Sequence, residues 1–322
     1  MNYIGIHSQQ VKNNTKTITL LVLFPIITLV MVFLAILAVG YLVTISSEYA
    51  VEQAVLWEWV WKSFEQAIPW TLGIIALWFL TAYFANTFLI AKATGAAPLE
   101  RKENMRVYNL VENLCMSKGM QMPKINVIRD SSLNAFASGI NTKSYTVTLT
   151  TGIIDKLNDA ELEGVIAHEL THIRNHDVRL LIVSIVFVGI FSLISQMAVN
   201  LLRYSSFSRS KNDKKGGIIV ILLVIVLIAA IGLLITSLMK FVISRQREYM
   251  ADAGSAEMTK NPLALASALK KIAVDPEIEA VKQNDVAQLF IEHPLAKKTN
   301  IFSSLFATHP PIQKRIEILE QF

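Results

Sequence analysis

The chain has 322 residues, of which 53% are hydrophobic and only 17% charged, with a net charge of +5 and a mean hydropathy of +0.45. Soluble domains carry about 25% charged residues, so a wholly soluble or disordered chain is excluded and a membrane protein is expected. Its one cysteine, Cys115, excludes an internal disulfide framework and a multi-cysteine metal knuckle, and the basic excess of an apolar chain marks cytoplasmic flanks of membrane helices rather than a nucleic-acid partner.

In chain order, four runs lack Asp, Glu, Lys and Arg: Thr17–Ile45, Ala67–Ala91, Leu180–Leu202 and Gly216–Met239. Each exceeds the roughly 20 residues that cross a ~30 Å hydrocarbon core. The first is too long for a signal-peptide core and is read as an uncleaved anchor. Lys12 and Lys16 precede it without an acid, whereas Glu48, Glu52, Glu58 and Glu65 face Lys62 alone before the second run. Positive-inside logic puts the N-terminal flank in the cytoplasm, the acidic segment outside, and the chain after the second run back in the cytoplasm. Trp57, Trp59 and Trp61 suit an interfacial belt. The linker between runs three and four is basic (Arg203, Arg209, Lys211, Lys214 and Lys215 against Asp213), which leaves both a full span and a re-entrant hairpin open.

Between the second and third runs, Val107, Leu110, Val111 and Leu114 give Met105–Cys115 a helical spacing. Lys124–Asp130, Leu133–Ser138 and Tyr145–Thr150 read as strands, with Gly139 and Asn141 as turn residues between the last two. Asn158 with Glu161 three residues on forms a capping box that opens a helix through Val165, Ile166 and Leu170. After the fourth run, Asn261-Pro262 places an N-cap before a proline at the first helical position, followed by Leu265, Leu269 and Ile272.

The helix opened at Asn158 carries His168-Glu169-Leu170-Thr171-His172. Histidines four apart lie about 6 Å along the axis and ~40° round it, so both imidazoles reach one tetrahedral metal. Zinc suits neutral imidazole, and a catalytic site takes three protein ligands and leaves one position for water. Glu169 is the expected general base and acid. His176 is too distant to be the third ligand if the helix continues, and Asn175 and Val178 stand where a metzincin needs a glycine and a third histidine. The better candidate is Glu248, with Asp252 one turn further on the same face, placed to hold a ligand histidine by its other ring nitrogen. By themselves Glu248 and Asp252 would better suit a solvated helix face paired with Arg245 and Arg247; a two-histidine helix lacking a carboxylate ligand reverses that balance.

His168-Glu-x-x-His172 before an apolar hairpin and Ser244-Arg-x-Arg-Glu248-x-x-x-Asp252 after it resemble the HtpX membrane zinc endopeptidases, relatives of the CAAX prenyl peptidases. The resemblance covers nearly the whole chain. It implies an α-helical multi-pass membrane protein with an α+β zincin-like (gluzincin) catalytic domain carrying a small sheet. Its parts are residues 1–91 with two membrane helices, 92–179 with the two-histidine helix, 180–239 as a transmembrane or re-entrant hairpin, and 240–322 with the third ligand. It implies one Zn2+ per chain on His168, His172 and Glu248, Glu169 as acid–base residue and Asp252 behind the ligands. Asn134, in a stretch similar to the family's cleft-lining strand, and His309, in a late His-Pro element, are implied substrate or transition-state contacts; a turn asparagine and a helix-breaking His-Pro are the plain alternatives. Met1–Lys16 is longer than in the short-headed form of the family.

The expected activity is cytoplasmic-side cleavage of misfolded or surplus proteins in a bacterial inner membrane, a quality-control and stress-response role with protein substrates and the lipid bilayer as partners. Alternatives are a CAAX-type processing peptidase and a catalytically silent zinc-binding scaffold. An intramembrane site-2 protease is disfavoured because the motif precedes its apolar run. A metal transporter is disfavoured because the four runs lack ionisable ligands.

Overall fold

The computed structural model describes residues 6–46, 52–184, 196–197, 199–200, 226–227, 230–232, 247–273 and 310–322. The third and fourth apolar runs therefore lie mostly outside the described residues, and His309 lies outside them entirely. The chain divides into two compact units, one formed by Ile18–Ala82 with Val183–Met239 and the other by Met1–Thr17, Tyr83–Ile182 and Lys240–Phe322.

Two helices, α1 (Ile6–Ser46) and α2 (Gln53–Thr94), run through the first two apolar stretches and beyond them. Within them Gln10–Tyr41 and Gln53–Thr94 are long and apolar enough to cross a membrane. Glu58, Lys62 and Glu65 were expected in an external loop but lie on α2, because helix formation continues past the edge of the apolar run. Inside the first unit the two helices meet closely. A Cβ on Gly40 would lie 2.8 Å from Leu56, and Phe33 packs against Trp61 and Phe64 with ring centroids 5.3 and 5.2 Å away.

The second unit is built around a four-stranded sheet of β1 (Ala97–Pro98), β2 (Lys124–Ile128), β3 (Ala135–Ser138) and β4 (Thr146–Thr150), in the order β1-β2-β4-β3. β2 and β4 run parallel while the other pairs are antiparallel, so β3 ends the sheet. Helix α3 (Met105–Lys118) buries Val107, Val111, Leu114 and Cys115. β2 stops before Asp130, whose carboxylate instead accepts from Ser132 N–H at 2.8 Å and turns the chain. The β3–β4 turn depends on Gly139, at φ 103. A side chain there would place its Cβ 2.3 Å from the Ser144 carbonyl oxygen. A short helix, α4 (Thr151–Lys156), follows β4 directly, capped by the Thr150 hydroxyl.

The central element is α5 (Asp159–Arg174), which packs against α3, β3 and β4. Its predicted capping box forms in full: Glu161 N–H donates to Asn158 Oδ1 at 2.9 Å and Asn158 N–H to Glu161 Oε2 at 3.0 Å. A cap of this kind is worth about 1 kcal/mol. Further helical segments are α6 (177–184), α7 (247–259), α8 (Pro262–Ile272) and α9 (Ile312–Leu319). Small residues let α7 and α8 approach α5. A Cβ on Gly254 would sit 2.3 Å from Thr171 Cγ2 and one on Gly164 3.2 Å from Leu265 Cα, while Ser255 Oγ donates to the Gly164 carbonyl at 2.7 Å. This close approach brings Glu248 and Asp252 up to the histidine helix.

Candidate metal centre

His168, His172 and Glu248 present one ligand atom each within 4.8 Å of one another. The two Nε2 atoms are 3.2 Å apart. Glu248 Oε2 lies 3.7 Å from His168 Nε2, and Oε1 lies 3.6 Å from His172 Nε2. The opposite face of each ring is held by a carboxylate: His168 Nδ1 is 3.0 Å from Asp252 Oδ1 and His172 Nδ1 is 3.0 Å from Asp177 Oδ2. Those bonds place hydrogens on Nδ1 and aim Nε2 at the centre of the triangle.

Two imidazole lone pairs and a carboxylate cannot share a dry space without a positive charge between them. Burial opposes charge on His168, but Asp252 and Glu248 outweigh it and raise its pKa to about 9 in the metal-free chain. A divalent cation fits the same place by donor type, number and spacing. The residues fit a metal.

Glu169, on α5 between the histidines, is only 2% exposed. Burial raises its pKa, partly offset by His168 and His172, a direction that suits a carboxyl that both takes and returns a proton. Access is lopsided: the His172 side chain is 14% exposed, against 1% for His168 and 5% for Glu248. The site opens beside His172.

Sequence reasoning missed two residues of this cluster. Asp177 lies five residues beyond His172, and α5 ends at Arg174 with His176 in the left-handed region at φ 62, folding Asp177 back onto His172. Because the helix stops, the spacing argument against His176 as a ligand no longer applies. Its ring is instead taken up elsewhere, with Nδ1 3.0 Å from Asn14 Oδ1. The second is Arg315 on α9, fully buried, whose Nε and Nη2 donate to the two oxygens of Asp252 at 2.9 and 2.7 Å. Its Nη1 stands 3.6 Å from Glu248 Oε2. Burial would raise the Asp252 pKa, but Arg315 and His168 hold it below the ordinary value. A signal was available: Ile312, Ile316 and Leu319 form an apolar stripe, and Arg315 stands on it. A cation on such a face needs a buried acid.

Of the remaining expected residues, Asn134 is fully buried just before β3, its Oδ1 accepting from Ala135 N–H at 3.0 Å and its N–H donating to Thr150 Oγ1 at 3.2 Å. Arg247 does not serve the self-paired surface face weighed for Glu248 and Asp252: it is buried, and Nη1 donates to the Asp177 carbonyl at 3.2 Å.

Chemically this is the equipment of a metal-dependent hydrolase, and comparison with known proteins gives the narrower class of membrane metalloprotease. The model of peptidase family M48 matches residues 101–322. A protease HtpX homolog of Bacteroides fragilis is 59% identical over 325 residues, covering 100% of both chains. One from Dictyoglomus turgidum is 40% identical over 257 residues, 77% of this chain and 81% of its own. The crystal structure of S. mikatae Ste24p matches with a TM-score of 0.50 at 21% identity, over 80% of this chain and 60% of Ste24p, a likeness of fold. The chain belongs to peptidase family M48.

Proposed function

We propose that this metalloprotease uses one zinc ion, held by His168, His172 and Glu248, to cut misfolded or surplus membrane proteins at the cytoplasmic face of a bacterial inner membrane. The observation that carries the zinc assignment is the triangle of two Nε2 atoms and a carboxylate, each imidazole backed by its own acid. A zinc ion there supplies a Lewis acid that polarises a scissile carbonyl and acidifies a water molecule.

The chain's residues do the rest. Glu169 accepts the proton of the attacking water and delivers it to the leaving nitrogen, its pKa lifted by burial for that exchange. Asp252 and Asp177 fix ring orientation and tautomer, and Arg315 keeps Asp252 ionised. Substrate enters from the open side at His172. β3 ends the sheet next to Asn134, which supports pairing of an extended substrate main chain along that edge.

Orientation draws on a contact within the second unit. Gln10 and Asn13, beside the basic flank Lys12 and Lys16, bond to the end of α5, which supports reading the site and that flank as sharing one side of the membrane. Positive-inside logic makes that side the cytoplasm. The multi-pass topology rests on the four apolar runs, and the quality-control role rests on the HtpX resemblance.

The test measures zinc content and cleavage of unfolded casein in detergent for wild type and Glu169→Gln. About one zinc in both proteins, with cleavage by wild type alone, is expected. Equal cleavage by the variant refutes the assignment of Glu169.

A further inference from the structure

Asn13 lies near the start of α1, at the edge of a membrane-length apolar helix, yet it is completely buried. Its Nδ2 donates to Asp177 Oδ1 at 2.6 Å and to the Asn175 carbonyl at 2.8 Å. The amide orientation follows from those partners, because the flipped form would set a carbonyl oxygen against a carboxylate and a second carbonyl. The other oxygen of the same carboxylate, Asp177 Oδ2, holds His172 Nδ1.

We propose that Asn13 is a positioning residue for the metal site: by locking the Asp177 carboxylate it orients His172, so that the membrane anchor and a metal ligand share one chain of side-chain hydrogen bonds. This rests on the reading of His172 as a ligand. A carboxylate turns readily about Cβ–Cγ, a broad two-fold torsion. With Asn13 on Oδ1 and His172 on Oδ2 it has one orientation, and with Asn13 removed the imidazole is its one remaining side-chain hydrogen-bond partner among the described contacts. The neighbouring contacts serve a different purpose. Gln10 Nε2 donates to the Arg174 carbonyl at 2.7 Å and Asn14 Oδ1 faces His176 Nδ1, docking α1 on the end of α5 without touching the carboxylate. Asn13 alone of these three bonds to Asp177 through its side chain among the described contacts.

The experiment uses the full chain in detergent, with Zn2+ affinity measured by competition against a chromophoric chelator and the Co2+-substituted protein observed by visible absorption. Loss of a partner directly behind a metal ligand weakens binding about 10–100-fold, the range expected for Asp177→Ala; Asn13→Ala, one bond further out, is expected to weaken Zn2+ binding about 3–10-fold. It should also alter the Co2+ band shape. In the Asp177→Ala background Asn13→Ala should add less than about twofold, since both act through one carboxylate. Gln10→Ala should leave affinity unchanged. Asn13→Asp, nearly isosteric but unable to donate, should behave at least as badly as Asn13→Ala and covers the case in which the smaller side chain fails to fold. Zn2+ binding by Asn13→Ala and Asn13→Asp equal to wild type overturns the proposal. So does an equal loss in Gln10→Ala, or a loss that persists in full without Asp177. Failure of the wild type itself to bind Zn2+ would instead refute the metal site on which the proposal rests.

Discussion

Replacing Arg315 by Met tests whether the buried cation is required by the acids around it. The guanidinium is fully buried and bonds both oxygens of Asp252, itself 1% exposed. Removing one member of such a pair leaves the other charge without water or partner, at a cost of about 3–5 kcal/mol. For a domain of this size each kcal/mol moves the unfolding midpoint about 2–4 °C, so Arg315→Met should lower it by about 6–20 °C. The metal-free chain in detergent is the sensitive sample, since a bound divalent cation supplies positive charge nearby and should reduce the loss. Combining the change with Asp252→Asn removes the stranded charge, and the double variant should be about 2 kcal/mol more stable than the sum of the single effects. A drop below about 3 °C, or strict additivity, refutes the claim that Arg315 neutralises Asp252.

Three further outcomes are expected. Because a proton occupies His168 up to about pH 9 without metal, zinc binding at pH 7–8 should release about one proton, and apparent affinity should climb about tenfold per pH unit until that value. Metal-free stability should run the opposite way, falling as pH rises from 6.5 through about 9; pH-stat titration and thermal scans on chelated protein check both. At Glu161, burial works against the charge but Lys271, Ser267 and the Asn158 N–H hold the pKa below 4.5. That contribution is complete above pH 4.5 and lost as pH falls through the lowered value, so Glu161→Gln should flatten the acid limb of a stability profile. Gly254→Ala forces a methyl to 2.3 Å from Thr171 Cγ2 and should cost about 1–3 kcal/mol, with partial recovery in combination with Thr171→Ala, which thermal unfolding would resolve.

What could be read from the sequence was local. The capping box at Asn158, the N-cap at Asn261 and the one-turn spacing of His168 and His172 involve residues within four positions, and each is realised in the structure. Glu248 was reached only by asking what a two-histidine helix lacks. The rest depends on chain reversals that pattern does not encode. Asp177 meets His172 because His176 adopts a left-handed conformation; the parallel pairing of β2 with β4 joins strands separated by a third; Arg315 reaches Asp252 across 63 positions. α2 begins earlier than its apolar run because glutamate propagates a helix about as well as leucine does, and tryptophan only slightly less well.

The metal-facing cluster is assembled from chain separations of 164, 147 and 63 residues. During synthesis Glu169, Asp177, Glu248 and Asp252 all leave the ribosome before Arg315, at about 5–20 residues per second. Until that arginine is made, Asp252 lacks the two hydrogen bonds that the guanidinium gives its carboxylate in the folded chain. The hydrogen-bonded cluster can therefore reach its final form only after chain lengths of this order have been closed into loops, an entropic cost that grows slowly with separation.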